Sequence, residues 1–97
     1  MLEKQESREN AVQVIFSLPA EVQAESVYLV GDFNNWDESA APMERNNDGS
    51  FSLTLPLEKG REYTFRYLVN GDEWHNDWHA DRYVPNYFGG DNSVVIT

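Results

Sequence analysis

Phe51-Ser52-Leu53-Thr54-Leu55-Pro56-Leu57 and Tyr63-Thr64-Phe65-Arg66-Tyr67-Leu68-Val69 are the two stretches that decide the fold. In the first, Phe51, Leu53, Leu55 and Leu57 fall on one face of an extended chain and Ser52 and Thr54 on the other, the period of two expected of a half-buried strand. In the second, Tyr63, Phe65, Tyr67 and Val69 share one face and Thr64, Arg66 and Leu68 the opposite one. Arg66 therefore points away from the face that carries Phe65. Glu58-Lys59-Gly60 turns the chain between the two strands, and Asn70-Gly71 supplies a second tight turn after them. If all four apolar side chains of 51–57 are buried, each contributes about 1.5–3 kcal/mol and the strand is a main wall of the core.

Working outward, Val12, Val14, Phe16 and Leu18 alternate with Gln13, Ile15 and Ser17 until Pro19, which predicts a strand from Ala11. Val27-Tyr28-Leu29-Val30 is apolar almost throughout and reads as a central strand, stopped by Gly31 and the Asn34-Asn35 pair. Met43-Glu44-Arg45 reads as a short strand before Asn46-Asn47-Asp48-Gly49, a strong hairpin signal. Trp74 to Gly90 is rich in aromatic and polar residues, holds Pro85 and the Gly89-Gly90 pair, and reads as one long ordered loop. Ser93 to Thr97 is the last strand. Residues 1–10 are mostly charged and polar and read as a flexible N-terminal tail or short helix, leaving 11–97 as a single domain. Six to eight short strands joined by turns, with no useful helical period, predict an all-β antiparallel β-sandwich.

Composition narrows the partners. A chain of 97 residues has room for one modest core, burying about 60 to 70% of its unfolded surface. Seventeen acidic residues against seven Lys and Arg leave a net charge of -10, which disfavours nucleic acid and anionic membrane surfaces. The absence of cysteine excludes disulfides and thiolate metal sites. No apolar run reaches the length of a signal-peptide core or a spanning helix, so the expectation is a soluble, cytoplasmic chain. His75, Asp77 and His79 share one face of an extended segment, but a fourth ligand is lacking and no metal or other cofactor is expected. A glycosidase needs two carboxylates about 5–9.5 Å apart in a cleft that raises the pKa of one of them. A small sandwich offers no such cleft, and phosphate-loop, nucleophile-elbow and nucleotide fingerprints are absent. The chain is expected not to be an enzyme.

In Val27-Tyr28-Leu29-Val30-Gly31-Asp32-Phe33-Asn34-Asn35-Trp36 an apolar strand ends on a polar turn that holds up a tryptophan. Sugars bind proteins by stacking their C–H faces on aromatic rings while amides and charged groups take the hydroxyls. Trp36, Trp74, Arg66 and Asn92 offer these residue types at turns and strand edges. Taken singly, each has a plainer role: the tryptophans as core, Trp78 most of all, Arg66 as a solvated strand residue and Asn92 as a turn former. Pattern alone gives a small acidic β-sandwich with aromatics at its turns.

Three pieces in order, 27–36, then Tyr63 to Gly71 closely followed by Trp74, then Asn92-Ser93-Val94-Val95, resemble the family-48 carbohydrate-binding modules. These include the glycogen-binding domain of the AMP-activated protein kinase beta subunit and the early-set N-terminal domains of glycogen branching enzymes and isoamylases. The resemblance covers about residues 11–97. It implies an immunoglobulin-like fold of early-set type and non-catalytic binding of α-1,4-glucan such as glycogen, starch or malto-oligosaccharide. It further implies stacking by Trp36 and Trp74, hydroxyl contacts from Arg66 and Asn92, and Phe88 as the apolar side chain that protrudes through the curve of the glucan. Arg66 stands where the family carries a lysine, replacing a point donor with a planar fork. The segment 81–92 is more similar to the bacterial branching-enzyme group, some members of which pack this domain against a catalytic barrel. An interaction domain that docks on a glucan-processing enzyme therefore stays open as the alternative.

Overall fold

The computed structural model describes residues 2–86 and 90–97, without the side chains of Ser7 and Arg8. Nine strands lie among the described residues: β1 (Leu2–Arg8), β2 (Ala11–Leu18), β3 (Val27–Gly31), β4 (Glu44–Arg45), β5 (Phe51–Glu58), β6 (Glu62–Val69), β7 (Glu73–His75), β8 (Arg82–Pro85) and β9 (Asp91–Ile96). They form two antiparallel sheets, one ordered β1-β2-β5-β4 and the other β3-β6-β9-β8, with β7 paired to β6 beyond the end of β9. Besides strands there are only two short 3-10 turns among these residues, Ala20–Val22 and Asp32–Asn34. The fold is the expected all-β sandwich.

The inner faces follow from the period of two. Val12, Val14, Phe16 and Leu18 of β2 are buried, as are Val27 and Leu29 of β3, Phe65, Tyr67 and Val69 of β6, and Val95 of β9. Phe16 and Phe65 join the two sheets edge to face at 5.0 Å and 76°, and Phe65 continues to Tyr67 at 5.7 Å and 81°. Such pairs contribute about 0.5–1.5 kcal/mol each beyond the area they bury.

Four expectations change in the structure. Residues 2–8 are a strand rather than a tail or short helix: Leu2 to Glu6 pair with Phe16 to Val12. Charged side chains such as Lys4 and Glu6 suit a sheet edge, where charge discourages pairing with a further strand, and Lys4 Nζ bonds Asp81 Oδ2 at 2.6 Å while Glu6 pairs with Lys59. The stretch from Trp74 to Gly90 is not one loop, since β8 lies within it and β7 overlaps its start. Asn70 (φ 54°) and Gly71 (φ 80°) sit in the left-handed region, the turn geometry that returns the chain along β6 as β7. Strand β3 is at the edge of its sheet, not the centre. Its apolar character suits a covered edge: Leu29 N donates to Ala41 O (2.9 Å), Met43 N donates to Val27 O (2.8 Å), and Tyr28 bridges to Pro42. Finally, only Phe51 and Leu57 of the β5 face are fully buried, with Leu53 and Leu55 half-buried. The two-residue β4 reaches only Ser52 and Phe51, so the middle of β5 lies near the margin of its sheet.

One polar pair is sunk in the core. Tyr67 Oη donates to Asp77 Oδ2 at 2.7 Å, both residues being 0–1% exposed. Asp77 N donates to Ser93 Oγ (2.9 Å), His79 N donates to Asp77 Oδ1 (2.8 Å), and the Tyr83 hydroxyl donates to Asp77 O. The segment after β7 is thereby strapped to the second sheet. Burial, reinforced by the charge of Asp77 and the hydrogen bond to it, pushes the Tyr67 phenol well above its ordinary pKa of 10.0.

Two outcomes follow for stability. At Gly31, which is buried and extended, an added Cβ would lie 2.5 Å from Thr64 O and 2.8 Å from Phe65 Cβ. Gly31→Ala is expected to cost about 3 kcal/mol in urea denaturation, because backbone rather than a flexible tip must give way. Tyr67→Phe leaves Asp77 short of a buried donor and is expected to cost about 2 kcal/mol at neutral pH. With the folded pKa raised, the stability supplied by the neutral phenol is complete below pH 10 and is lost as pH rises through the folded value. The gap between wild type and Tyr67→Phe should therefore narrow above pH 10, as read by denaturation curves at pH 7 and at pH 10–11.

Candidate functional site

The outward face of β6 carries Thr64, Arg66 and Leu68, opposite in direction to Phe65 and Tyr67. Val30 of β3 lies across from Arg66, and Trp74 of β7 across from Leu68. On the same flank of β6, β9 pairs Ser93 with Phe65, and the register carried one step further sets Asn92 across from Arg66. Directly opposed residues in a sheet share a face, so Trp74, Arg66 and Asn92 are neighbours on one outward surface. Leu68 is buried on that surface, between Tyr28 and Trp74 in register.

The Arg66 guanidinium lies over the Trp74 ring, Cζ 5.5 Å from its centroid, a cation–π contact worth about 0.5–1 kcal/mol in a partly exposed setting. Arg66 Nε is buried and has no hydrogen-bond partner among the described residues, and the ring contact is the interaction that holds the head group there. Trp74 keeps 38% of its surface exposed. Asn92 is half-buried, and its Oδ1 accepts a long 3.3 Å hydrogen bond from Asn86 Nδ2.

Trp36 reaches the same strand by another route. Asn34 clamps the end of β3, donating from Nδ2 to Leu29 O (2.9 Å) and accepting at Oδ1 from Gly31 N (3.1 Å). Asn35 and Trp36 then both take left-handed backbone, φ 57°, a conformation that costs a non-glycine residue about 1–3 kcal/mol, and Trp36 N donates to Gly31 O at 2.9 Å. The half-buried indole is tethered too: its Nε1 donates to Asp32 Oδ1 at 2.9 Å, while Asp32 Oδ2 accepts from Thr64 N at 2.7 Å. Asp32 thus ties Trp36 to β6 two residues from Arg66. Phe88 lies outside the described residues.

Other candidates are placed as plainly. Asp77 is turned into the core and committed to Tyr67, while His75 Nε2 lies 3.6 Å from Glu73 Oε1. The pair of histidines therefore does not share an outward carboxylate at Asp77, and among the described residues no group of three His, Cys, Asp or Glu is arranged to hold a metal ion. Trp78, least favoured from sequence as a site residue, is 56% exposed, with Tyr83 at 44%. Its neighbour Asp77 takes the inward position instead. Asp32 and Asn34 escape a reading that looks for rings; the signal available was their place within one turn of the tryptophan they support.

The sequence matches carbohydrate-binding module 48 (isoamylase N-terminal domain) over residues 3–84, a span that includes Trp36, Arg66 and Trp74. An amylopullulanase of Thermoanaerobacterium thermosulfurigenes is 30% identical over 94 residues, 88% of this chain and 5% of that protein. A 1,4-alpha-glucan branching enzyme of Synechococcus sp. strain CC9605 is 34% identical over 91 residues, 92% of this chain and 12% of that enzyme. The rice protein FLOURY ENDOSPERM 6, chloroplastic, is 40% identical over 75 residues, 77% of this chain and 13% of its own length. The chain therefore corresponds to a small part of each of these relatives. The matched span runs from β1 into β8 and takes in most of both sheets, and the chain belongs to the carbohydrate-binding module 48 family, of the isoamylase N-terminal domain type.

Proposed function

We propose that the domain binds α-1,4-glucan without cleaving or transferring it, on the outward face built from Trp36, Arg66, Trp74 and Asn92. The observation that carries this reading is the Arg66–Trp74 stack, with Asn92 beside it in register and Trp36 tethered to the same strand. Arg66 covers one face of the Trp74 indole and steadies it, and the opposite face takes the C–H face of a glucose ring. Asn92 and the guanidinium edge take hydroxyls. The relatives' names, an amylopullulanase and 1,4-alpha-glucan branching enzymes, support an α-glucan over other polysaccharides. Two partly exposed rings and a few hydrogen bonds that compete with water yield about 4–7 kcal/mol, hence a dissociation constant between high micromolar and millimolar.

A second reading has the domain dock on a glucan-processing enzyme. It is favoured by exposed Trp78 and Tyr83, on the loop between β7 and β8 and on β8 itself, and by the small share of its relatives that the chain represents. Pull-down from lysate with and without added oligosaccharide separates the two, since partner capture that persists with Trp74→Ala belongs to docking.

Titration with maltoheptaose or β-cyclodextrin, followed by amide shifts and tryptophan fluorescence, is expected to saturate in the millimolar range or below. No response at millimolar sugar overturns the proposal. Trp74→Ala and Trp36→Ala are each expected to weaken binding at least tenfold, about 1.4 kcal/mol or more, with the amide spectrum of the core strands unchanged. Unfolding of either variant would instead mark that ring as core. Reducing-end assays on glycogen are expected to detect no turnover.

A further inference from the structure

We infer that Asp32 is a positioning residue for sugar binding, setting the plane of the Trp36 indole relative to β6. The inference rests on the glucan-binding reading above and deepens it by naming what fixes the second ring. Three observations converge on this carboxylate. Its two oxygens are divided between one side-chain donor and one backbone donor: Oδ1 takes the Trp36 indole N–H at 2.9 Å and Oδ2 takes the Thr64 amide at 2.7 Å. The Thr64 amide belongs to the strand that presents Arg66, so one side chain references the indole to the scaffold of the other ring. And Trp36 sits on left-handed backbone next to left-handed Asn35, so the local chain alone does not hold the ring in an ordinary strand direction.

The physical reason for such a brace is orientation. An indole on a turn can rotate about two side-chain bonds, and a ring that rotates must be ordered when sugar stacks on it, which weakens binding. A charge-assisted acceptor at Nε1 removes much of that freedom beforehand. Because the indole N–H is spent on Asp32, Trp36 offers the sugar its face rather than its donor. Alternative explanations confine Asp32 to a purely structural role, closing the β3–β6 ladder through Thr64 alone.

The test reads the indole and the affinity separately. In wild-type protein the Trp36 indole N–H is expected to exchange with solvent at least tenfold more slowly than that of exposed Trp78; equal rates overturn the inference whether or not sugar binds. Asp32→Ala is expected to abolish that protection and to weaken maltoheptaose binding by five- to tenfold. In a Trp36→Phe background, which keeps a ring but has no indole N–H, Asp32→Ala is expected to change affinity less than twofold. Equal losses in both backgrounds assign Asp32 to the fold alone and overturn the inference. Should Asp32→Ala fail to fold, the wild-type exchange rates still decide. Wild-type protein that shows a protected indole but no sugar binding overturns the glucan-binding reading while leaving the brace itself in place.

Discussion

The register of β6 is the constraint on which the rest of the molecule depends. This strand carries β3 on one flank and β9 with β7 on the other, and its alternation sends Phe65 and Tyr67 inward and Arg66 outward. A slip of one residue would reverse every one of these assignments. The aromatic contact of Phe65 with Phe16 fixes the strand against the opposite sheet, and the Tyr67–Asp77 bond fixes it along the chain. The outward face inherits its order from those inward contacts. What positions Arg66 against Trp74 is therefore largely the packing on the other side of the strand.

Carboxylates do an unusual share of the local work in this acidic chain. Asp32, Asp77 and Asp81 each accept from backbone amides, Thr64, His79 and Ile96 respectively. Each also meets a side-chain donor: the Trp36 indole, the Tyr67 hydroxyl and the Lys4 ammonium. Asp32 and Asp77 each serve a loop and a strand together, and Asp81 links β1 to β9. Hydrogen bonds with an ionised acceptor are roughly twice as strong as neutral ones, which suits short connections with few apolar contacts of their own.

Strands with one wet face were legible because burial on a single side leaves a period of two, as at Val12 to Leu18 and Tyr63 to Val69. The hairpin signals at 46–49 and 70–71 were legible because only certain residues tolerate left-handed backbone. Elements whose stabilisation comes from the ladder rather than from side chains were not. Strand β1 is charged along its length and reads as solvated, although its backbone pairs with β2 from Leu2 to Glu6 and again at Arg8. Strand β3 reads as central because Val27 to Val30 is apolar almost throughout, a character that its edge cover by residues 41–43 explains equally well. At the site, ring positions such as Trp36 and Trp74 are conspicuous in a sequence. The supports Asp32 and Asn34 are not, because polar turn residues look alike until their partners are known.

The placement of Arg66, Trp74 and Asn92 on paired strands has a thermodynamic consequence. Surfaces assembled from loops must usually be immobilised when a ligand arrives, and that ordering appears as an unfavourable entropy and a slowed encounter. Here the backbone beneath three of the four polar and aromatic groups is held by hydrogen bonds on neighbouring strands before any ligand is present. If this surface takes a flexible polysaccharide, as proposed, the entropic cost of association falls mainly on the sugar. On the proposed reading, differences in affinity among glucans then reflect how ordered each free chain already is, more than any rearrangement of the protein.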